Sequence, residues 1–213
     1  MSKRFMLIFL VFVAIFVGLF MFNSRDAGAP QDEAVEPTSH KVGEGTEGVT
    51  LIEYGDFQCP ACAQYYPLIK QIKEKYGDRI TFQFRHFPLV QIHPNAMAAH
   101  RAAEAAGQQD KFFEMHDMLY ERQTEWQGSP QPTSVFERYA QELDIDMERF
   151  KSDVSSPATN RIVNADIKEA QSAGANSTPT FVLNDKKVEE APRDLEGFSK
   201  LIDEAIEKAK TQE

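Results

Sequence analysis

The apolar pattern changes period twice between Val49 and Phe87, and this change constrains the fold more than any other feature of the chain. V49-T50-L51-I52-E53-Y54 is a short apolar run that suits a buried strand. After the cysteines, apolar residues fall at Cys62, Tyr65, Tyr66, Ile69, Ile72 and Tyr76, one face of a helix that Gly77 closes. Pro67 lies inside that helix, removes one hydrogen bond and is expected to kink it. I80-T81-F82-Q83-F84-R85-H86-F87 then alternates as a strand does. Strand, helix and strand in this order give a parallel pair with a right-handed crossover.

From about residue 94 to 174 the pattern is helical throughout. The alanine-rich run Ala96 to Ala106 stops at Gly107, and Asp110 is placed to cap the next helix. Ser134 and Glu137 have the spacing of a capping box. Met147, Phe150 and Val154 mark a short helix, and Pro157 opens a longer one stopped by Gly174. Strand returns at T180-F181-V182-L183, and the N184-D185 pair before K186-K187-V188 reads as a hairpin turn. Asp194 is placed to cap a last amphipathic helix carrying Phe198, Ile202 and Ile206. The sum is an α/β chain, β-α-β, a block of helices, then β-β-α: a small mixed sheet with a helical insertion.

The only two cysteines stand as C59-P60-A61-C62 between the first strand and its helix. A helix N-terminus offers free N–H groups and the positive dipole end, and both stabilise a thiolate at Cys59. Cys62, one turn further in, points toward the core. The asymmetry gives Cys59 the exchange with substrate and Cys62 the resolution of the mixed disulfide, and Pro60 suits the first helical turn. Two other readings compete. Half a zinc site would need histidines, but among His86, His93, His100 and His116 no pair has H-x₃₋₅-H spacing. A structural staple across so short a loop would constrain the unfolded chain little. The working dithiol is therefore favoured.

Two further signals lie elsewhere. T178-P179 precedes the third main strand, a place where a cis bond is plausible, although X–Pro bonds are trans far more often. Asn176-Ser-Thr matches a glycosylation acceptor, a short motif of low weight. Glu53 is the only ionisable residue of its strand. On a central strand it would be a buried carboxyl able to move protons to or from Cys62; on an edge strand it would sit in solvent.

At the N-terminus, Lys3 and Arg4 precede Phe5 to Phe22, eighteen residues without a charge and just long enough to cross a bilayer core. The run exceeds a signal-peptide core, and Pro30 directly follows the A-x-A site at Ala27-Gly28-Ala29. An uncleaved single-pass anchor over residues 1–22 is expected, with the rest extracytoplasmic; a cleaved, secreted form is the alternative. Residues 23–47, rich in Pro, Gly and acidic residues, read as a flexible linker with a short strand allowed around His40 to Val42. Without Lys3, Arg4, Arg25 and Asp26 the chain keeps 20 basic and 32 acidic residues, which argues against a nucleic-acid partner.

Taken together, the V-T-L-I-E-Y strand, C59-P60-A61-C62, the helical block and T178-P179-T180-F181 before a hairpin and helix resemble the DsbA-type thiol:disulfide oxidoreductases over Val49 to Lys210. The anchor makes the chain more similar to membrane-tethered members. The resemblance implies a thioredoxin-like fold over residues 48–210 with a helical domain inserted at about 94–174. It implies a Cys59–Cys62 disulfide, with Cys59 nucleophilic and Cys62 resolving. Pro60 and Ala61 become the dipeptide that tunes the potential, Glu53 the buried acid, and Thr178 and Pro179 a cis-proline loop that binds peptide. Pro67 matches the kink proline of such folds. Neither metal nor cofactor is implied. The expected partners are reduced secreted polypeptides and a quinone-linked membrane reoxidase. The best-known dipeptide of the family is Pro-His; with Ala61 in place of His, a less extreme oxidant is expected.

Overall fold

The computed structural model describes residues 35–211. The anchor expected at 5–22 and the linker up to residue 34 lie outside the described residues. No helix of the described residues is long and apolar enough to cross a membrane.

Five strands form one sheet: β1 (Lys41–Val42), β2 (Val49–Gly55), β3 (Ile80–His86), β4 (Thr180–Leu183) and β5 (Lys186–Lys187), in the order β1-β3-β2-β4-β5. β2 and β3 are parallel, from Val49 opposite Ile80 to Gly55 opposite His86, and helix α1 (Pro60–Tyr76) joins them. β4 runs antiparallel to β2 with Glu53 opposite Phe181. Six helices lie between β3 and β4: α2 (Ala96–Gly107), α3 (Phe112–Glu121), α4 (Gln123–Trp126), α5 (Pro132–Glu142), α6 (Met147–Ser155) and α7 (Pro157–Ser172). α8 (Leu195–Lys210) ends the domain. The α/β architecture, with helices inserted between β3 and β4, is the one expected.

β2 is the central strand, which decides the open question about Glu53: the side chain is buried. Period-two alternation places Val49, Leu51 and Glu53 on one face with Phe82, Phe84 and Phe181. There they pack on Ile69 and Ile72 of α1 and on Phe198, Ile202 and Ile206 of α8. Tyr54 and Val182 face the other way, against Ala170 of α7.

Local signals held where backbone geometry alone decides. Asn184 and Asp185 both have positive φ (44° and 62°), as a two-residue hairpin turn demands. The Asp194 carboxylate accepts from Gly197 N at 2.7 Å and caps α8. α1 continues through Pro67 as one helix.

Three local readings need correction. Asp110 does not cap α3; it has φ 60° in the preceding turn, and Lys111 takes the N-cap position without a side-chain bond. Ser134 and Glu137 form no capping box, because Pro132, with its preset φ and absent N–H, starts α5 two residues earlier. Residues 36–47, read as linker, are built into the domain. β1 pairs with β3, and Thr38 donates from N and Oγ1 to the Asp166 carboxylate at 2.7 and 2.6 Å. His40 stacks on Phe112 at 3.5 Å. Each partner lies at least 40 residues away in the chain, so local composition carries no trace of the packing.

Candidate active site

β2 ends at Gly55, and Asp56 to Gln58 turn the chain into α1. Cys59 is the N-cap residue of α1 with extended backbone (φ −70°, ψ 123°), and Pro60 takes the first helical position. No side chain caps this terminus, so its free N–H groups are left to the Cys59 sulfur. Both cysteines are free thiols and both are buried, Cys62 completely and Cys59 to 7% exposure. Pro60 is exposed and Ala61 half-buried beside them.

The two sulfurs differ in the way the sequence implied. The Cys62 thiol donates to Cys59; against the opposing effect of burial, the N–H groups of Cys62 and Ala61 add to it. Together they hold Cys59 down to about 5. Burial pushes Cys62 well above the usual thiol range, with the Cys59 hydrogen bond and the Glu53 charge acting in the same direction. Its sulfur accepts from Asp56 N at 3.5 Å. Glu53 lies under the pair, and burial raises its carboxyl to about 8, partly offset by the Lys73 charge and reinforced by Cys59. Its Oε1 finds no hydrogen-bond partner among the described residues.

Thr178 and Pro179 lead into β4, which runs antiparallel to β2, and so lie at the same end of the sheet as the dithiol. Their peptide bond is cis, and the Thr178 carbonyl oxygen lies 3.4 Å from Cys59 Sγ, which donates to it as a thiol. The structure thus brings together Glu53, Cys59, Pro60, Ala61, Cys62, Thr178 and Pro179, drawn from two sequence regions more than 110 residues apart.

Sequence reasoning missed the residues that hold the loop. The Asp56 carboxylate accepts from Gln58 N (2.8 Å), Leu89 N (2.8 Å) and His93 Nδ1 (2.7 Å). Burial pushes the Asp56 carboxyl up, but the hydrogen bonds from Leu89 and His93 help to keep it below its ordinary value. From the helical layer, Gln123 Nε2 donates to the carbonyls of Phe57 (2.7 Å) and Cys59 (3.2 Å). Gln58 donates to Gln127 O at 2.8 Å and accepts from Asn95 N at 2.7 Å. Asp56, an Asx-turn residue between strand and cysteines, offered a signal; Gln123 offered none.

The histidines form a buried row. Phe57 N donates to His100 Nε2 at 3.4 Å, His100 Nδ1 meets His86 Nδ1 at 2.6 Å, and His86 Nε2 meets Glu104 Oε1 at 2.7 Å. His40 Nε2 reaches the same oxygen at 2.6 Å. Among the described residues no histidine hydrogen-bonds a cysteine sulfur. His40, His86 and Glu104 offer ligand atoms within 4.8 Å of one another, the one grouping with metal-ligand spacing among the described residues. Both histidine nitrogens already pair with the one Glu104 oxygen.

At neutral pH the arrangement offers a thiolate at Cys59, a protonated thiol at Cys62 and a carboxyl beneath them that titrates close to neutrality. Alkylation of the reduced protein with iodoacetamide is expected to follow a midpoint near pH 5 at Cys59, with Cys62 unmodified while the fold is intact. Peptide mapping across pH 3 to 9 checks this, and a Cys59 midpoint above pH 8 would contradict the geometry.

Solved structures with the same arrangement of chain include alpha-DsbA1 of Wolbachia pipientis, with TM-score 0.69 and 22% identity over 84% of this chain and 98% of that one. Oxidised BdbD of Bacillus subtilis gives 0.68 and 22% over 83% and 100%. A thioredoxin-like oxidoreductase of Silicibacter pomeroyi gives 0.66 and 24% over 80% and 93%. These likenesses show the fold. Curated relatives include the Na(+)/H(+) antiporter NhaA 3 of Salinispora tropica, 33% identical over 171 residues, and NhaA 1 of Salinispora arenicola, 36% over 148. The matches cover 80% and 70% of this chain, but the chain spans only about a quarter of the length of these relatives. The sequence profile of the family described as thioredoxin matches residues 35–204, from the segment before β1 into α8, and so takes in the dithiol, the Thr178-Pro179 loop and every strand. The chain belongs to the thioredoxin family.

Proposed function

We propose that the domain is a thiol:disulfide oxidoreductase acting as an oxidase, which donates a Cys59–Cys62 disulfide to reduced secreted polypeptides. The observation that carries this reading is the division of the dithiol: Cys59 held down to about 5, Cys62 pushed up, and Glu53 poised beneath. A stabilised thiolate stabilises the reduced protein, which makes the disulfide the stronger oxidant. Family membership, and one solved neighbour described as a thiol-disulfide exchange protein, support the same chemistry.

The substrate thiolate attacks Cys59 Sγ, the Cys59–Cys62 bond breaks, and Cys62 leaves and is protonated. A second substrate thiolate then attacks the substrate sulfur of the mixed disulfide and releases Cys59. Val90 and Ile92 are exposed (49% and 69%) on a loop tied to Asp56 and Gln58 through Leu89, His93 and Asn95. An exposed apolar loop tied to the turn before Cys59 suits an unfolded chain. In this reading residues 1–22 anchor the domain outside the cytoplasm, and a quinone-linked membrane partner restores the disulfide.

The test is refolding of a reduced, denatured substrate by the oxidised protein, with equilibration against glutathione. Acceleration with a potential nearer −120 than −270 mV supports an oxidase. A potential near −270 mV reverses the electrons and makes the protein a reductase or isomerase. No acceleration would leave a tethered peptide-binding module.

A further inference from the structure

Tyr120 lies on α3, in the inserted helical layer, yet its hydroxyl belongs to the space beneath the dithiol. A Cβ built on Gly55 would lie 2.9 Å from Tyr120 Oη. Gly55 stands two residues after Glu53 on β2, so its missing side chain would point to the same face as the Glu53 carboxyl. The glycine is what lets the hydroxyl approach the strand there. The Tyr120 ring stacks on Tyr66 at 5.5 Å and lies 5.1 Å from Phe57. Tyr66 follows Cys62 by one helical turn, on the same face of α1. Tyr120 is thus framed by the strand that carries Glu53, the loop before Cys59 and the helix face that carries Cys62.

Four buried polar atoms in or beside this space, Glu53 Oε1, Tyr120 Oη, His116 Nε2 and Thr178 Oγ1, have no hydrogen-bond partner among the described residues. Such orphans are costly, and a site whose charge moves during turnover is one reason to keep them. Burial, with the charges of Cys62, Glu53, Asp56 and Cys59, keeps the phenol far above its ordinary range, so it stays a donor.

We propose that Tyr120 is a positioning residue for proton transfer at Cys62, its hydroxyl donating to the Glu53 carboxylate that forms when Glu53 gives up its proton. The inference rests on the oxidase chemistry above and adds a residue to it. When a substrate thiolate attacks Cys59 Sγ, the electron pair of the breaking Cys59–Cys62 bond leaves on Cys62 Sγ. Glu53 gives its proton to that sulfur and becomes a carboxylate. The Tyr120 O–H stabilises this anion until a solvent proton returns. The other ionisable groups facing this space are Cys59, Asp56, Lys73 of α1 and His116, one turn before Tyr120. Burial holds His116 down to about 4, so it is neutral at pH 7.

The experiment combines Tyr120→Phe with carbon NMR of the wild-type protein. In the wild type, the Tyr120 ring ζ-carbon is expected to follow the Glu53 titration near pH 8. In Tyr120→Phe, the Glu53 midpoint is expected to rise, and reduction of the oxidised protein by dithiothreitol at pH 7 to slow about tenfold, the scale of one hydrogen bond to a charged group. Tyr66→Phe, whose hydroxyl instead donates to Glu121 at 2.8 Å, is expected to leave both readouts unchanged. A flat Tyr120 signal through the Glu53 titration, or an unmoved Glu53 midpoint in Tyr120→Phe, would overturn the proposal. Both readouts are independent of oxidase activity, so loss of the oxidase reading alone would leave them intact.

Discussion

Serine in place of Cys59 is expected to abolish disulfide transfer, lowering the rate by at least about a thousandfold, because a hydroxyl supplies no anion at neutral pH and cannot form the mixed disulfide. The fold should survive, since Cys59 sits at a helix N-cap position where serine is itself a preferred residue. Serine in place of Cys62 is expected to behave differently. Cys59 remains a thiolate nucleophile, attacks a substrate disulfide and has no neighbour to release it, so a covalent complex accumulates. Non-reducing electrophoresis after incubation with an oxidised peptide separates the two cases. Complex formation by Cys59→Ser, or equal trapping by both variants, would exchange or erase the roles assigned to the two sulfurs.

Glu53→Gln is expected to stabilise the reduced protein by about 3 kcal/mol at pH 7 and by nothing at pH 4. The sign follows from the raised carboxyl. Below about 4.5 the group is protonated in the folded and unfolded chain alike, so it costs nothing. As pH rises, the unfolded carboxyl ionises first while the folded one, at about 8, stays protonated. The folded state loses stability through this window and the loss levels off above pH 8. Glutamine keeps the shape and removes the titration, so the gain should grow with pH from 4 to 8. Urea unfolding at pH 4, 6 and 7 reads it. A gain equal at all three pH values would mean that packing, not ionisation, separates the variants. Disulfide transfer should slow in the same variant, because glutamine cannot give a proton to Cys62.

Much of this site was legible because its main parts obey local rules. A strand, a C-P-A-C turn and a helix are encoded within thirty residues, and the helix terminus alone predicts which sulfur is acidic. Thr178-Pro179 was visible as a proline at a strand start, though its cis form is not encoded in the dipeptide. Glu53 was visible as a charge in an apolar run, but its burial depended on β4 adding to β2 from over 120 residues downstream. The loop supports were hidden for the same reason. Gln123 lies on α4 and Asn95 and Gln127 flank helices, and only tertiary packing brings the Gln123 amide to the carbonyls of Phe57 and Cys59, and the Asn95 N–H and Gln127 carbonyl to the Gln58 side chain. Segment 36–47 failed in the opposite direction: its composition is that of a linker, and long-range pairing with β3 and Asp166 overrides it.

The buried row from Phe57 to Glu104 carries a consequence of order. Phe57 can only donate, so His100 Nε2 must be bare and its Nδ1 must hold the hydrogen. His86 Nδ1 then accepts, and His86 Nε2 must point its hydrogen at Glu104. One backbone amide thus sets the tautomer of two rings in succession, with no freedom left at either. The turn before Cys59 and the far end of α2 share a single proton arrangement. Replacing Glu104 with a donor would set the row in conflict with itself at the amide two residues before Cys59.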